Sequence, residues 1–247
     1  MTIKEIHTII TAKFPLKLQD KWDESGINFV ADKNARVTGV LACLDLTEEV
    51  LTHALKNNCN LIISHHPVFL KNKDFKPSTA QLTLLKKLKQ NNIGFISYHT
   101  NVDNARNGIN SFVAHEMGLG DIKIIQKMAI GKLKFPYRPK VLASTLKGKF
   151  RLERILFTSE APVKSIAVVS GAGFSVFQKN LNLLKNIDLL ITGDMKHHDW
   201  LFAKMHNMNV MDVGHELENA FIDLIQETLG EAIIVRAFPN HFDMIVS

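Results

Sequence analysis

The stretch NLIISHHP at residues 60–67 decides the fold prediction, because it joins a short apolar run directly to two histidines. The run NLIIS (60–64) is typical of a fully buried β-strand. Two similar runs flank it, VTGVLACLDL (38–47) and IGFISY (93–98). Helix-like segments separate the three runs, one capped by Thr47 and extending to about Asn58, the other at residues 79–91. Strands that alternate with helices predict an α/β protein with parallel strands.

The same alternation returns in the second half of the chain. Strand-like runs occur at 165–170, 188–192, 209–213 and 232–236, with helix-like segments at 175–186, 195–207 and 216–229. Residues 119–160 differ, since they hold short apolar runs and turn residues at Gly131, Pro136, Pro139 and Gly148. We interpret this stretch as hairpin-like strands or a lobe boundary. The sequence therefore predicts a two-lobed α/β fold with mixed sheets and flanking helices, with lobes at residues 1–120 and 121–247 that interlock as one folding unit.

Composition and cysteine content exclude several classes of protein. Apolar residues make up 46% of the 247 residues and charged residues 22%, which is ordinary for a globular protein. The only two cysteines, Cys43 and Cys59, form neither a disulfide framework nor a CxxC zinc motif. The amphipathic N-terminus lacks the apolar core of a signal peptide, and no apolar run approaches the roughly 20 residues that span a membrane. We expect a soluble, cytoplasmic protein without a membrane segment.

Metal-ligating side chains follow four of the predicted strands at their carboxyl ends. They are His65 and His66, His99 and Asp103, Asp194 with His197 and His198, and His215 with Glu216 and Glu218. In open α/β sheets, ligands bind beyond the carboxyl ends of the strands. A single histidine on an apolar face is usually a structural residue, but four strand ends of this kind indicate a binding site.

The chemistry of these side chains points to transition metals. Imidazole and carboxylate together suit zinc, iron, manganese or nickel, whereas calcium would require more oxygen ligands. Five or six ligands exceed the three that one catalytic zinc uses. They suit two ions bridged by a carboxylate, an arrangement that activates a water molecule for hydrolysis. His215 and Glu218 lie three residues apart at a helix start and therefore share a face.

Positive charge is concentrated in one segment. The formal net charge is +6, and the stretch from Lys123 to Arg154 holds ten Lys or Arg residues and a single acid, Glu153. Two interpretations stay open, a solvated surface at a lobe junction or a surface that attracts phosphates or nucleic acid. No P-loop is present. The Gly171-Ala172-Gly173 turn is either a plain turn or a place where backbone approaches phosphates.

Six short motifs resemble those of the NIF-three-like family, whose bacterial members are commonly called GTP cyclohydrolase type-I homologues of a second type. They are Trp22-Asp23 with Gly26, LDLTEEVL at 44–51, ISHHP at 63–67, HTNVD at 99–103, TGDMKHHD at 192–199 and GH at 214–215. The resemblance extends over nearly the whole chain. It implies a two-lobed α/β protein that assembles into a toroidal homohexamer and holds two divalent metal ions per chain, with zinc, iron and manganese as the candidates.

The resemblance also implies particular residues. The family's ligands fall on His65, His66, Asp103 and His215, followed by a glutamate, and Asp103 resembles a bridging carboxylate. Many members place that glutamate four residues after the last histidine, where this chain has Asn219, so Glu218 is the predicted final ligand. His99 and His198 resemble groups that line the site, and we expect them to be the catalytic residues that shuttle protons.

Two functions follow from this site. The first is a dinuclear metal-dependent hydrolase acting on a nucleotide, with GTP cyclohydrolase activity as the specific form, in which activated water attacks an electrophilic carbon such as purine C8. The second is a non-enzymatic, metal-binding hexameric ring that binds DNA or partner proteins. Loss of turnover on chelation favours the first, and DNA binding that falls steeply with salt but survives chelation favours the second.

Overall fold

The computed structural model of the protein describes residues 1–70 and 76–239, and it forms two compact units. Unit 1 comprises Met1–Ala105 with Phe221–Ser247, and unit 2 comprises Arg106–Ala220. Each unit contains one mixed sheet with flanking helices, which confirms the predicted fold class. None of the helices in the described ranges has the length and apolar character needed to cross a membrane.

The strands are labelled in chain order. They are β1 Gly26–Phe29, β2 Val40–Cys43, β3 Leu61–Ser64, β4 Gly94–Ser97, β5 Gly120–Ile125, β6 Met128–Tyr137, β7 Leu156–Phe157, β8 Val163–Val168, β9 Leu189–Thr192, β10 Val210–Asp212 and β11 Val235–Phe238. The α-helices are α1 Ile3–Lys13, α2 Glu48–Lys56, α3 Thr79–Gln90, α4 Thr100–Asp103, α5 Ile109–Glu116, α6 Pro139–Phe150, α7 Phe174–Lys179, α8 His197–Met205 and α9 Ala220–Leu229.

The sheet of unit 1 has the strand order β1-β4-β3-β2-β11. Strands β4, β3, β2 and β11 run parallel, whereas β1 is antiparallel to β4. Every residue of β2, β3 and β4 is buried, which explains why their sequences are continuous apolar runs rather than alternating ones. Ser64 pairs with Ser97, so the carboxyl ends of β3 and β4 lie side by side. Polar residues that follow these two strands are therefore neighbours.

Local hydrogen bonds explain where the helices of unit 1 begin. The Thr47 side chain accepts from the backbone of Val50 at the start of α2, as its position in the sequence predicts. Ser78 and Gln81 form a reciprocal capping box at the start of α3. These caps determine where each helix starts relative to the preceding strand or loop.

The last strand changes the division of the chain relative to the sequence prediction. The sequence predicts a second lobe over residues 121–247, whereas the structure divides the chain after Ala105 and places Phe221–Ser247 in unit 1. The reason is the pairing of β11 with β2, in which Val235 lies opposite Val40. Sequence patterns identify a strand, but they do not identify its partner.

Unit 2 has the strand order β5-β6-β8-β9-β10-β7. Strands β8, β9 and β10 are parallel, and β6 is antiparallel to both β5 and β8. The β5–β6 pair matches the hairpin predicted within residues 119–160, but the same stretch also contains helix α6, which the sequence pattern does not predict. Pro139 occupies the first turn of α6, where its missing N–H costs nothing, and Leu142, Leu146 and Phe150 are its buried face.

Candidate metal centre

His65 follows β3 directly and is completely buried. Its Nδ1 lies 2.9 Å from the backbone carbonyl oxygen of Tyr98, the residue after β4. Because a carbonyl oxygen only accepts hydrogen bonds, Nδ1 must carry the proton and the ring's lone pair resides on Nε2. The adjacency of β3 and β4 thus sets the tautomer of this imidazole.

His66 is held in the same way by a carboxylate. Its Nδ1 lies 2.8 Å from Oδ1 of Asp45, which follows strand β2. Histidines that bind metals almost always donate their other ring N–H to a carboxylate, a carbonyl or water, which orients the ring and increases the basicity of the ligating nitrogen. His66 and Asp45 have this arrangement.

His99 is held in the same way by the carboxylate of Asp23. Its Nδ1 lies 3.1 Å from Oδ1 of Asp23, a fully buried carboxylate. Asp23 Oδ2 also accepts hydrogen bonds from the Thr100 backbone (3.0 Å), the Thr100 hydroxyl (2.5 Å) and the Ser25 hydroxyl (2.8 Å). Burial opposes ionisation of Asp23, but the hydrogen bonds from His99 and Thr100 outweigh it and hold the pKa of this carboxyl well below its usual range.

The three imidazoles form one group, which we call the three-histidine cluster (His65, His66 and His99). Their ring centroids are 5.0, 5.1 and 5.3 Å apart, and one ring nitrogen from each lies within 4.8 Å of those of the other two. Asp103, at the end of α4, places its Oδ1 3.6 Å from His65 Nε2. Unit 1 therefore brings together all four of its predicted site residues.

In unit 2, His215 begins a 3₁₀ helix that spans His215–Asn219. A 3₁₀ helix has three residues per turn, so residue i+3 lies directly above residue i. This geometry places Glu218, rather than Asn219, against His215, and Glu218 Oε2 is 2.9 Å from His215 Nε2. Asn219 is also buried, and its Oδ1 has no hydrogen-bond partner among the residues that the structure describes.

His215 lies between two carboxylates. Its Nδ1 is hydrogen-bonded to Asp194 Oδ2, and its Nε2 faces Glu218. The hydrogen bond to Asp194 and then the one to Glu218 raise the pKa of His215 to about 11, against an opposing effect of burial. A group of two carboxylates around one imidazole attracts cations, and a bound metal ion would take the place of the proton on the ligating nitrogen.

The Gly171-Ala172-Gly173 turn packs against Glu218. Gly171 has a φ of +58°, and a Cβ added there would lie only 2.1 Å from Glu218 Oε1. The Gly171 carbonyl also accepts hydrogen bonds from the Gly193 backbone (2.9 Å) and the Thr192 hydroxyl (3.1 Å). Of the two interpretations of this turn, the structure supports a structural one, in which glycine leaves room for a carboxylate.

His198 lies on helix α8 of unit 2. It is exposed in the first turn of α8, and its ring centroid is 5.4 Å from that of His197. The catalytic role predicted for His198 stays a prediction, because no contact within unit 2 links it to His215 or Glu218 in the described part of the chain.

Four groups that hold histidines were not assigned a role from the sequence. They are the carboxylates of Asp23, Asp45 and Asp194 and the carbonyl of Tyr98. Asp45 follows β2, so the strand-end rule would have identified it if it had been applied to that strand as well. Asp194 was noted at a strand end, but its partner was not identified. No sequence pattern indicates the carbonyl of Tyr98.

Comparison with known proteins agrees with the motifs. The model of the family described as Duf34/NIF3 (NGG1p interacting factor 3) matches residues 1–243. The chain belongs to the DUF34/NIF3 family. A relative from Ureaplasma parvum named GTP cyclohydrolase 1 type 2 homolog is 32% identical over 236 residues, which cover 92% of this chain and 88% of the relative. A relative from Helicobacter pylori named GTP cyclohydrolase 1 type 2 is 31% identical, with coverage of 98% and 99%.

Solved structures of DUF34/NIF3 relatives share the fold. A hypothetical protein of Staphylococcus aureus superposes with a TM-score of 0.85 at 26% identity, covering 100% of this chain and 99% of that one. A Bacillus cereus protein related to NIF3 superposes with a TM-score of 0.86 at 20% identity and the same coverage. The family resemblance inferred from the motifs is thereby confirmed, and so is the fold.

Proposed function

We propose that the protein is a metal-dependent hydrolase that acts on a nucleotide, with GTP as the first candidate substrate. In this proposal, His65, His66, Asp103, His215 and Glu218 hold two divalent metal ions. Zinc, iron and manganese all accept such ligands. Relatives that carry the name GTP cyclohydrolase 1 type 2, together with their homologues, support the choice of substrate.

One observation carries the proposal, namely that each ring of the three-histidine cluster has its Nδ1 engaged by an oxygen acceptor. The acceptors are Tyr98 O, Asp45 Oδ1 and Asp23 Oδ1, at distances of 2.9, 2.8 and 3.1 Å. One such bond is common in proteins, but three in a cluster of imidazoles 5.0–5.3 Å apart orient Nε2 of His65 and His66 as ligand atoms and Nε2 of His99 as the atom that carries the proton. The donor set therefore fits divalent metal ions.

The chain's own residues supply orientation and proton transfer. Bound metal ions contribute Lewis acidity, which lowers the pKa of water and polarises the group that it attacks. His99 is partly exposed and held by Asp23, so it can accept a proton on Nε2 and return it to a leaving group. His65 is buried and held by a neutral carbonyl, which suits a ligand better than a proton carrier.

Elemental analysis tests the metal site. We expect close to two metal ions per chain in the wild-type protein, and loss of metal in the His65→Ala and Asp103→Ala variants. His115→Ala is the matched control, because His115 has 80% of its side chain exposed and lies outside the cluster. Wild-type metal content in the His65→Ala variant would contradict the proposed ligands.

A nucleotide screen tests the activity. Metal-loaded protein should open the purine ring of GTP, followed as loss of the purine absorbance band, and chelation or Asp103→Ala should abolish the reaction. The hydrolase proposal fails if a metal-loaded protein turns over no nucleotide under any of the three metals.

Assembly into a toroidal homohexamer is part of the same proposal, and it rests on the family resemblance. Light scattering coupled to size-exclusion chromatography measures it directly. A mass close to six times the chain mass of 27.8 kDa is the expected result.

The surface of unit 2 favours a second candidate function, binding of single-stranded nucleic acid by a metal-binding ring. On β6 and the start of α6, Lys132, Lys134, Arg138 and Lys140 are exposed. Two aromatic residues accompany them, Phe135 with 58% and Tyr137 with 42% of their surface exposed. Cations beside exposed aromatic rings suit a charged backbone with stacked bases.

Salt dependence distinguishes this function from the first. Binding of a single-stranded oligonucleotide should weaken steeply with salt and persist after chelation. The pair Lys132→Gln and Lys134→Gln should reduce both affinity and salt slope, whereas the exposed control pair Lys56→Gln and Lys86→Gln should not. Equal effects of the two pairs would indicate attraction by net charge alone.

A further inference from the structure

We propose that Trp22 is a stacking platform for the heteroaromatic ring of the substrate, beside the three-histidine cluster. This inference rests on the proposed function, since it assigns a residue that recognises the base of the nucleotide. Trp22 belongs to the motif of Trp22, Asp23 and Gly26. Asp23 holds His99, whereas Trp22 is neither a proposed metal ligand nor a proposed proton carrier.

The position of the indole supports this role. Trp22 has 47% of its surface exposed, so part of the indole is accessible to a ligand. Its ring contacts His99 with a centroid separation of 5.5 Å and an interplanar angle of 75°. Because His99 is a member of the three-histidine cluster, a ring stacked on Trp22 would lie within one side-chain length of the candidate reactive centre.

The turn that carries Trp22 is held in place on both sides. Asp23 anchors it through the hydrogen bonds to His99, Thr100 and Ser25 described above. On the other side of Trp22, the Asp20 backbone donates to the Thr100 hydroxyl at 2.9 Å, and the Asp23 backbone donates to the Asp20 carbonyl at 3.1 Å. These bonds fix the backbone on both sides of Trp22.

Rigid placement matters for recognition. A rigid aromatic side chain binds a planar ring with little loss of conformational entropy. Stacking tolerates any base, because every base has a π face. The platform therefore predicts affinity for the base itself, independent of the phosphates.

The intrinsic fluorescence of Trp22 can report on binding at this position. The chain has two tryptophans, and the second, Trp200, packs against a hydrophobic cluster of unit 2. In a Trp200→Phe background, the remaining tryptophan fluorescence comes from Trp22 alone. Guanosine and GTP should quench it in a saturable manner, whereas inorganic tripolyphosphate should not.

Equilibrium dialysis with guanosine measures the energetic contribution. Trp22→Leu should raise the dissociation constant about 5- to 100-fold, the range for loss of a base–aromatic stack. Trp22→Phe keeps an aromatic face and should change it by less than about threefold. Metal content and the melting temperature should stay at wild-type values in both variants, since Trp22 neither binds the ions nor lies in the core.

The possible results separate this inference from the hydrolase proposal. Base binding that weakens in Trp22→Leu, without turnover of any nucleotide, supports the platform and contradicts the hydrolase. Turnover with the same guanosine affinity and KM in Trp22→Leu contradicts the platform and leaves the hydrolase intact. Failure of the wild-type protein to bind guanosine, or a change in assembly mass in Trp22→Leu at unchanged guanosine affinity, overturns the platform.

Discussion

Replacement of Gly171 by alanine should remove metal binding at Glu218 while leaving the fold intact. Gly171 has a φ of +58°, and the added Cβ would lie 2.1 Å from Glu218 Oε1 and 3.0 Å from its Cδ. Carbon and oxygen atoms that are not bonded stay more than 3 Å apart, so the carboxylate must move by about 1 Å. It is the end of a flexible side chain, and we expect its movement to disturb the 2.9 Å contact between Oε2 and His215 Nε2.

The expected effect of Gly171→Ala has two parts, one on stability and one on metal affinity. The left-handed backbone costs an alanine about 1–2 kcal/mol of folding free energy at this position. Displacement of the carboxylate should weaken metal binding at least about tenfold, the lower end of the loss seen when groups that orient metal ligands are removed. Only the second part is specific to Glu218.

Gly118 offers a matched control in the same unit. It has a φ of +76°, and no described atom lies within 4 Å of the position where its Cβ would be. Gly118→Ala should therefore show the loss of stability without the loss of metal affinity. Urea unfolding of the metal-free variants measures the first effect, and competition with a chromophoric chelator measures the second.

Two results would refute this reasoning. Gly171→Ala could bind metal as tightly as the wild-type protein, in which case Glu218 is not a ligand. Gly118→Ala could lose as much affinity as Gly171→Ala, in which case the backbone strain, not the displaced carboxylate, is responsible.

Three further predictions concern unit 1. Asp45→Ala should weaken metal binding about 10- to 100-fold by removing the acceptor that orients His66, and unchanged affinity in the chelator assay would contradict this role. Asp23→Asn should lower the free energy of unfolding, measured in urea, by about 2–4 kcal/mol, because an amide cannot accept all the hydrogen bonds that the buried carboxylate accepts. A loss below about 1 kcal/mol would contradict this role of Asp23. Burial lowers the pKa of His7 in the folded protein, so the unfolded chain binds a proton at His7 more readily as the pH falls. The contribution of His7 to stability is therefore complete above about pH 6.5 and declines below it. The metal-free His7→Gln variant should lose less stability than the wild-type protein between pH 7.5 and 5.5, and parallel curves would exclude this effect.

The sequence predicts the fold class and places candidate ligands at strand ends, but it does not predict how every strand pairs. The rule that ligands follow the carboxyl ends of parallel strands located His65, His66 and His99 because β3 and β4 are adjacent and in register. The return of β11 to β2 could not be foreseen, since a strand's sequence records its burial but not its partner. Helix α6 was missed because Pro139 and Gly148 are typical of turns when their place within a helix is unknown.

The choice between Glu218 and Asn219 shows a second limit of prediction from the sequence. Sequence spacing alone permits either position, since i+3 and i+4 both lie near residue i on an α-helix. The structure has a 3₁₀ helix over His215–Asn219, and this places the i+3 residue against His215. Helix type is a property of the local backbone, and the residue pattern HELEN does not reveal it.

The three-histidine cluster contains two kinds of imidazole, which differ in the group that accepts the hydrogen bond from Nδ1. Asp45 and Asp23 are carboxylates, and each accepts the hydrogen bond from Nδ1 of the ring that it holds, which leaves the lone pair of that ring on Nε2. The carbonyl of Tyr98 is neutral, so it fixes the tautomer of His65 without adding charge beside this fully buried ring. The buried ring is therefore oriented by the backbone and the two more accessible rings by acids, which is the distribution expected if His65 only binds metal while His66 and His99 also meet the substrate.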